Sequence, residues 1–331
     1  MDTTGAAVPG FGSGERQVLL DLYRGMATIR EFETRAHDMF KAGELPGFLH
    51  LYAGEEAVAV GVSSVLRPDD YVTSTHRGHG HMIAKGGDLQ LMMAELLGRA
   101  TGYCHGKGGS MHIADFDLHV LGANGIVGAS LPIATGAGLA AQYRGEDTVS
   151  ICFFGDAASN RGTFHESLNL ASIWNLPVVF VCENNMYGVG MCQRDHMMVC
   201  DVADRASSYG MRGVVVDGND VLAVRAAAAE AVDLARAGGG PTLLECKTWR
   251  QYGHFVGDDA TYRDPAEHEE WMSRDPLPAY RGWLLDQGVA AVDELAAIDA
   301  QIAAGLQAAV DFALASPWPT EADLVTDVFA V

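Results

Sequence analysis

A carboxylate and a carboxamide, Asp156 and Asn185, each follow an apolar run and offer oxygen to a cation. The first run extends from Val149 to Gly155, and the second from Leu176 through Glu183 and Asn184, with Tyr187 just beyond. Both are rich in β-branched and aromatic residues and the span between them is amphipathic, which predicts a strand–helix–strand crossover. In an open parallel sheet, ligands bind at the carboxyl ends of the strands. Asp156, Asn185 and the Tyr187 backbone carbonyl form a hard oxygen donor set that leaves room on a cation for phosphate oxygens and water. Magnesium is held in this way beside phosphorylated ligands.

His76-Arg77-Gly78-His79-Gly80-His81 sets three histidines within six positions. A zinc site would want a further ligand at suitable spacing, and Arg77 among the imidazoles opposes a cation. These residue types favour a strand-end loop in which Arg77 meets an anion and a histidine handles protons. A solvated histidine-rich turn is the plainer alternative. The glycine-dense stretch from Gly102 to His112 falls short of a P-loop. Three residues separate Gly102 from Gly106-Lys107, and Gly108 stands where Ser or Thr is needed. Nor does GxGxxG follow any strand-like run.

The elements that must hold these groups read as one α/β domain over residues 15–331, after a flexible lead-in at 1–14. Apolar residues at Leu19, Leu20, Tyr23, Met26, Ile29 and Phe32 recur at helical spacing, predicting a long helix from Glu15 towards Phe40. A second helix is expected over Glu55–Leu66, a strand over Tyr71–Thr75 and a Met- and Leu-rich helix over Asp88–Gly98. The helix from Pro132 to Gln142 is made of small residues, suited to close packing within the chain or at a subunit interface. Further strands fall at Val214–Val216 and Thr242–Lys247, around an alanine-rich helix over Val221–Ala237. Residues 249–263 read as a long irregular loop, the kind that often carries function, and helix resumes from Pro265.

With 331 residues, 48% of them hydrophobic, the chain can bury a large core. Its 43 acidic against 22 basic residues give a net charge of −21, which argues against nucleic acid and anionic membranes as partners. An anionic ligand must therefore be met by local cations or backbone N–H groups. No N-terminal leader pattern and no apolar run of about 18 residues is evident. Six scattered cysteines, with Cys152, Cys182 and Cys246 inside strand-like runs, point to a reduced, cytoplasmic setting.

Gly155-Asp156 followed 29 residues later by Asn185, itself preceded by Asn184, is similar to the thiamine-diphosphate motif, which opens with Gly-Asp-Gly and closes with Asn-Asn. Ile29 to Glu33, Gly106 to His112, Asn124 to Gly128, and Gly253-His254 before Tyr262-Arg263 extend the match over nearly the whole chain. Together they resemble the α subunit of the first component of 2-oxo acid dehydrogenase complexes. Pro46 to Ala57 and Thr75 to His81 look most like acetoin dehydrogenase α subunits; pyruvate dehydrogenase α subunits are similar but usually carry Tyr at the place of His76.

That resemblance implies a thiamine-diphosphate-binding fold, a mostly parallel sheet with helices on both faces and helical extensions at both ends. It also implies an α2β2 enzyme that cleaves acetoin or decarboxylates a 2-oxo acid, passing the acyl unit to a lipoyl acyltransferase. Asp156, Asn185 and the Tyr187 carbonyl would hold Mg2+. His76, Arg77, Gly155 and the backbone of Ala157 and Ala158 would meet the diphosphate, and Gly125 and Val127 the rest of the cofactor. His79 and His254 would line the reacting end. The glutamate that activates the cofactor would come from the β subunit.

The chain departs from the family pattern at Ala157, where glycine is usual, and in the loop from Met186 to Cys192, which lacks the usual Ser/Thr-Pro character. Phe255 stands where animal pyruvate dehydrogenase α subunits carry a regulatory serine, so no phosphorylation switch is expected there. Two other functions are compatible with these residues. One is a two-component carboligase that works without lipoamide, and the other is a non-catalytic α-like scaffold.

Overall fold

A computed structural model describes residues 12–326 and 328. Among them run eleven α-helices: α1 Ser13–Lys41, α2 Glu56–Ser63, α3 His79–Ala84, α4 Leu89–Leu96, α5 Ser130–Arg144, α6 Gly162–Ile173, α7 Gln193–His196, α8 Val221–Arg236, α9 Pro265–Met272, α10 Pro276–Asp286 and α11 Val292–Ala315. The strands are β1 Tyr71–Thr73, β2 Ser150–Gly155, β3 Val178–Asn184, β4 Tyr187–Gly188, β5 Met191–Cys192, β6 Arg212–Asp217 and β7 Thr242–Lys247.

Five strands form one parallel sheet in the order β1-β2-β3-β7-β6, and β4 and β5 make a small separate hairpin. Alternation along the strands sends side chains to two covered faces. Cys152, Phe154, Phe180 and Cys182 pack with Leu131 of α5 and Phe164 and Leu168 of α6. Ile151, Phe153, Val179 and Val181 pack with Val58 and Val62 of α2 and Val224 and Ala228 of α8. The register sets Gly155 opposite Glu183, so Asp156 emerges beside Asn184 and Asn185. This is the crossover expected from the two runs.

Local chemistry fixes the helix ends. Asp88 caps α4 by accepting from the N–H groups of Gln90 and Leu91, and Asp220 caps α8 in the same way. The α5 helix stops at Gly145, whose φ of 70° is left-handed. The α1 stripe of Leu22, Tyr23, Met26 and Ile29 is buried with Tyr280, Leu284, Leu295 and Ile298 of the C-terminal helices. Both helical extensions thus belong to one layer.

Several expectations shift. Of the lead-in at 1–14, residues 1–11 lie outside the described residues, and Ser13 and Gly14 already belong to α1. The second helix begins at Glu56 and ends at Ser63, and the first strand stops at Thr73. His79 and His81 sit on α3 rather than in a loop. Gly80 lies within that helix, at a position where a Cβ would come 2.2 Å from the Tyr52 ring. One helix among the described residues, α11, also has membrane-compatible length, with an 18-residue window of mean hydropathy 1.2. Its Leu295, Ile298, Leu306 and Val310 stripe is buried in the core, and Asp293 and Asp311 are exposed, so its pattern is amphipathic.

The glycine-dense loop wraps an anion supplied by the chain. Glu95 is fully buried, and its carboxylate accepts from the backbone N–H groups of Cys104, Gly106, Gly108 and Gly109 at 2.8–2.9 Å. A carboxylate fills the cradle that a phosphate would take in a P-loop.

Candidate active site

A cavity of about 390 Å³ opens at the carboxyl ends of β2 and β3. Asp156 begins a short 3₁₀ turn, Asp156–Asn160, directly after β2. It is 2% exposed, and its Oδ2 has no hydrogen-bond partner. His196 Nε2 comes only to 3.5 Å, and a buried carboxylate oxygen that accepts no hydrogen bond is costly and calls for a cation. Asn185 donates through Nδ2 to Glu55 Oε1 at 2.9 Å, and its Oδ1 accepts from the Tyr187 N–H at 3.4 Å, which leaves that oxygen one lone pair for a ligand. The Tyr187 hydroxyl donates to Glu267 Oε2 at 2.7 Å and its ring packs edge-on against Trp249, while the residue itself lines the cavity. These oxygen donors fit magnesium beside a phosphate.

Arg77, 4% exposed, lines the same cavity. It donates to the carbonyls of Leu51 at 2.5 Å and His254 at 3.0 Å, and Glu55 approaches its Nε only to 4.0 Å. Burial and the neighbouring Arg250 guanidinium pull its pKa down to about 10. Arg250 is also buried, donating to the carbonyls of Tyr252 and Val189 and to the Tyr262 hydroxyl. Two buried guanidiniums held largely by neutral oxygens form the local positive field that the acidic chain otherwise lacks, and they fit a diphosphate.

Three imidazoles converge beside Arg77. His76 and His254 were expected there, and His50 joins them, with the ring nitrogens within 4.8 Å of one another. Burial, then the Arg77 charge, lowers His50 to about 3 and His254 to about 4; the same causes lower His76 to about 2. All three are neutral at physiological pH, able to accept or relay a proton. The spacing would suit a metal, but two adjacent guanidiniums oppose a dication.

His79 and His81 leave this group. His79 is fully buried behind the wall, with Nδ1 2.9 Å from Glu33 Oε1 and Nε2 2.9 Å from Ser110 Oγ. His81 sits between Ser74 Oγ at 2.7 Å and Glu183 Oε1 at 2.8 Å. Val127 lines the cavity with Gly155, Ala157 and Ala158, whereas Gly125 is exposed and off the wall. Ala157 is not among the six non-glycine residues with positive φ, so its backbone asks for no glycine. A Cβ on Gly188 would lie 2.6 Å from the Ala157 Cβ, so Gly188 supplies the room for this methyl.

Sequence reasoning missed Glu55, Glu183, Arg250, Asn160 and His196, which all line the cavity. Burial and the Glu183 charge push the Glu55 carboxyl up to about 8. Glu183 also accepts from the Tyr52 hydroxyl. Gly54-Glu55-Glu56 at a helix start and Glu183 before Asn184 are signals that could have been used; His196 offers none.

Residues 24–321 match the dehydrogenase E1 component family. The α subunit of the acetoin:2,6-dichlorophenolindophenol oxidoreductase of Bacillus subtilis is 53% identical over 93% of this chain and 92% of its own. Its Cupriavidus necator counterpart is 51% identical over 95% of each chain. The pyruvate dehydrogenase E1 component subunit alpha of Rhizobium meliloti is 43% identical over 93% of this chain and 89% of its own. The chain belongs to the dehydrogenase E1 component family, thiamine-diphosphate-dependent oxidoreductases, and stands there among the α subunits.

Proposed function

We propose that this α subunit works with a β subunit, as an α2β2 enzyme, to cleave acetoin oxidatively, with the acyl unit passing to a lipoyl acyltransferase. The observation that carries the site is the buried Asp156 Oδ2, which accepts no hydrogen bond, on a cavity that Arg77 also lines. The names of the two relatives above 50% identity favour acetoin over pyruvate; a 2-oxo acid such as pyruvate is the second reading, favoured by the Rhizobium meliloti relative. Residues 15–331 would act as one unit, and six free cysteines support a cytoplasmic setting.

Asp156, Asn185 and the Tyr187 carbonyl would hold Mg2+, and Arg77 and His76 would neutralise and orient the diphosphate with the backbone of Gly155, Ala157 and Ala158. When bound, thiamine diphosphate supplies the electron sink for cleaving the bond next to the carbonyl. Val127 and the neighbouring Gly125 segment would position the cofactor's rings. His254, neutral and beside Arg77, would accept or return a proton at the reacting end. His79 would act from behind the wall, holding Ser110 and the glycine-dense loop in place.

Activity of the co-expressed α and β chains on acetoin and on a panel of 2-oxo acids tests this reading. Turnover of acetoin with transfer to lipoamide supports it, and turnover of pyruvate alone moves the assignment to the second reading. If calorimetry on the assembled complex detects no Mg2+-dependent binding of thiamine diphosphate, the enzyme reading fails.

A further inference from the structure

We infer that His196, oriented by Asn160, is a positioning residue that holds the Asp156 carboxylate for its cation. This rests on the reading of Asp156 as a metal ligand and adds groups outside the motif that carries it. His196 ends α7 and lines the cavity. Its Nε2 lies 3.5 Å from Asp156 Oδ2, and these two buried atoms are each without a hydrogen-bond partner.

The direction of the contact follows from the hydrogen bonds behind it. Arg205 donates through NH2 to Asn160 Oδ1 at 2.9 Å, so the Asn160 Nδ2 must face His196. That Nδ2 donates to His196 Nδ1 and to its carbonyl, each at 3.1 Å. With Nδ1 accepting, the proton of the neutral ring sits on Nε2, the nitrogen 3.5 Å from Asp156 Oδ2. Asn160 cannot turn to accept from Nδ1, because Arg205 occupies its oxygen. His196 therefore offers the aspartate an N–H rather than offering the ion a lone pair. Closing the 3.5 Å gap by a few tenths of an ångström would let the N–H occupy one lone pair of Oδ2 and leave the rest of the carboxylate to the cation. Arg205 also donates to the Ser159 carbonyl at 2.6 Å, so the 3₁₀ turn bearing Asp156 is tied to the segment that follows α7.

Outer partners of ligating groups commonly change metal affinity by about 10- to 100-fold. The test titrates thiamine diphosphate into the α subunit co-purified with its β partner, at a series of Mg2+ concentrations, by calorimetry. His196→Ala should raise the Mg2+ concentration for half-maximal binding by about tenfold, with the melting temperature without Mg2+ unchanged. His196→Gln, which can still present an N–H, should recover most of that loss, and Asn160→Ala should move it in the same direction. Wild-type Mg2+ dependence in His196→Ala, with binding abolished in Asp156→Ala, would overturn the inference and spare the site. A wild-type preference for Mn2+ or Zn2+ that vanishes in His196→Ala would make His196 a ligand and also overturn it. Binding that survives Asp156→Ala would overturn the site and the inference together.

Discussion

Asn185 Nδ2 donates to Glu55 Oε1 at 2.9 Å, joining the end of β3 to the start of α2 across 130 residues of sequence. The bond turns the amide oxygen of Asn185 away from Glu55. Glu55→Gln keeps an oxygen acceptor there and should bind thiamine diphosphate with Mg2+ about as well as the wild type. Glu55→Ala frees the amide and should weaken binding by about tenfold, roughly the 1.4 kcal/mol of one buried hydrogen bond. Calorimetry on the assembled enzyme separates the two variants.

The histidine trio predicts a pH dependence of stability. In the unfolded chain each imidazole titrates near 6.5, whereas folded His50 and His254 titrate at about 3 and 4 beside Arg77 and Arg250. Below pH ~6.5 the unfolded state binds more protons than the folded one, so stability falls as the pH drops. Guanidinium unfolding midpoints should decline from pH 7 to pH 5. The decline should be shallower in His50→Gln and in His254→Gln; an equal slope in both would mean these rings are charged when folded.

Glu95 should matter to stability although it lies away from the cavity. Glu95→Ala strands four backbone donors, and a cost of at least about 3 kcal/mol is expected from buried groups left unpaired. Glu95→Gln keeps the shape but points an amide N–H₂ at donors, so it should also destabilise, by less. Equilibrium unfolding of the three proteins gives the order directly.

Gly188 and Ala157 should behave as a coupled pair. Gly188→Ala brings two methyl carbons to 2.6 Å without relaxation and should lower both stability and cofactor affinity. Adding Ala157→Gly removes the clash and should restore both. A double-mutant cycle reads the interaction, and additive losses would show that the two methyls do not meet.

Much of this architecture was legible in sequence because β2 and β3 are continuous apolar runs that end in Asp156 and Asn185, and a parallel strand buried on both faces has that appearance. Residue types alone marked Arg77 for an anion, and the resemblance then supplied His76 and His254. Arg250 and His50 were not legible, since their roles come from segments that meet only in three dimensions. The helix holding His79 was hidden by its glycines, which weaken helix propensity; the Tyr52 ring demands Gly80 all the same. His196 carried no local pattern, because its meaning depends on Asn160 and Arg205.

The sheet order also bears on how the chain is made. Among the described residues, β7 is the last strand in sequence, sits between β3 and β6 and is the sole sheet neighbour of β6. During synthesis β3 must wait with an open edge, and β6 without a sheet partner, until Lys247 has left the ribosome. Open strand edges invite wrong pairing. A nascent chain arrested before Thr242 is therefore the species most exposed to aggregation, and chaperone capture should concentrate on it.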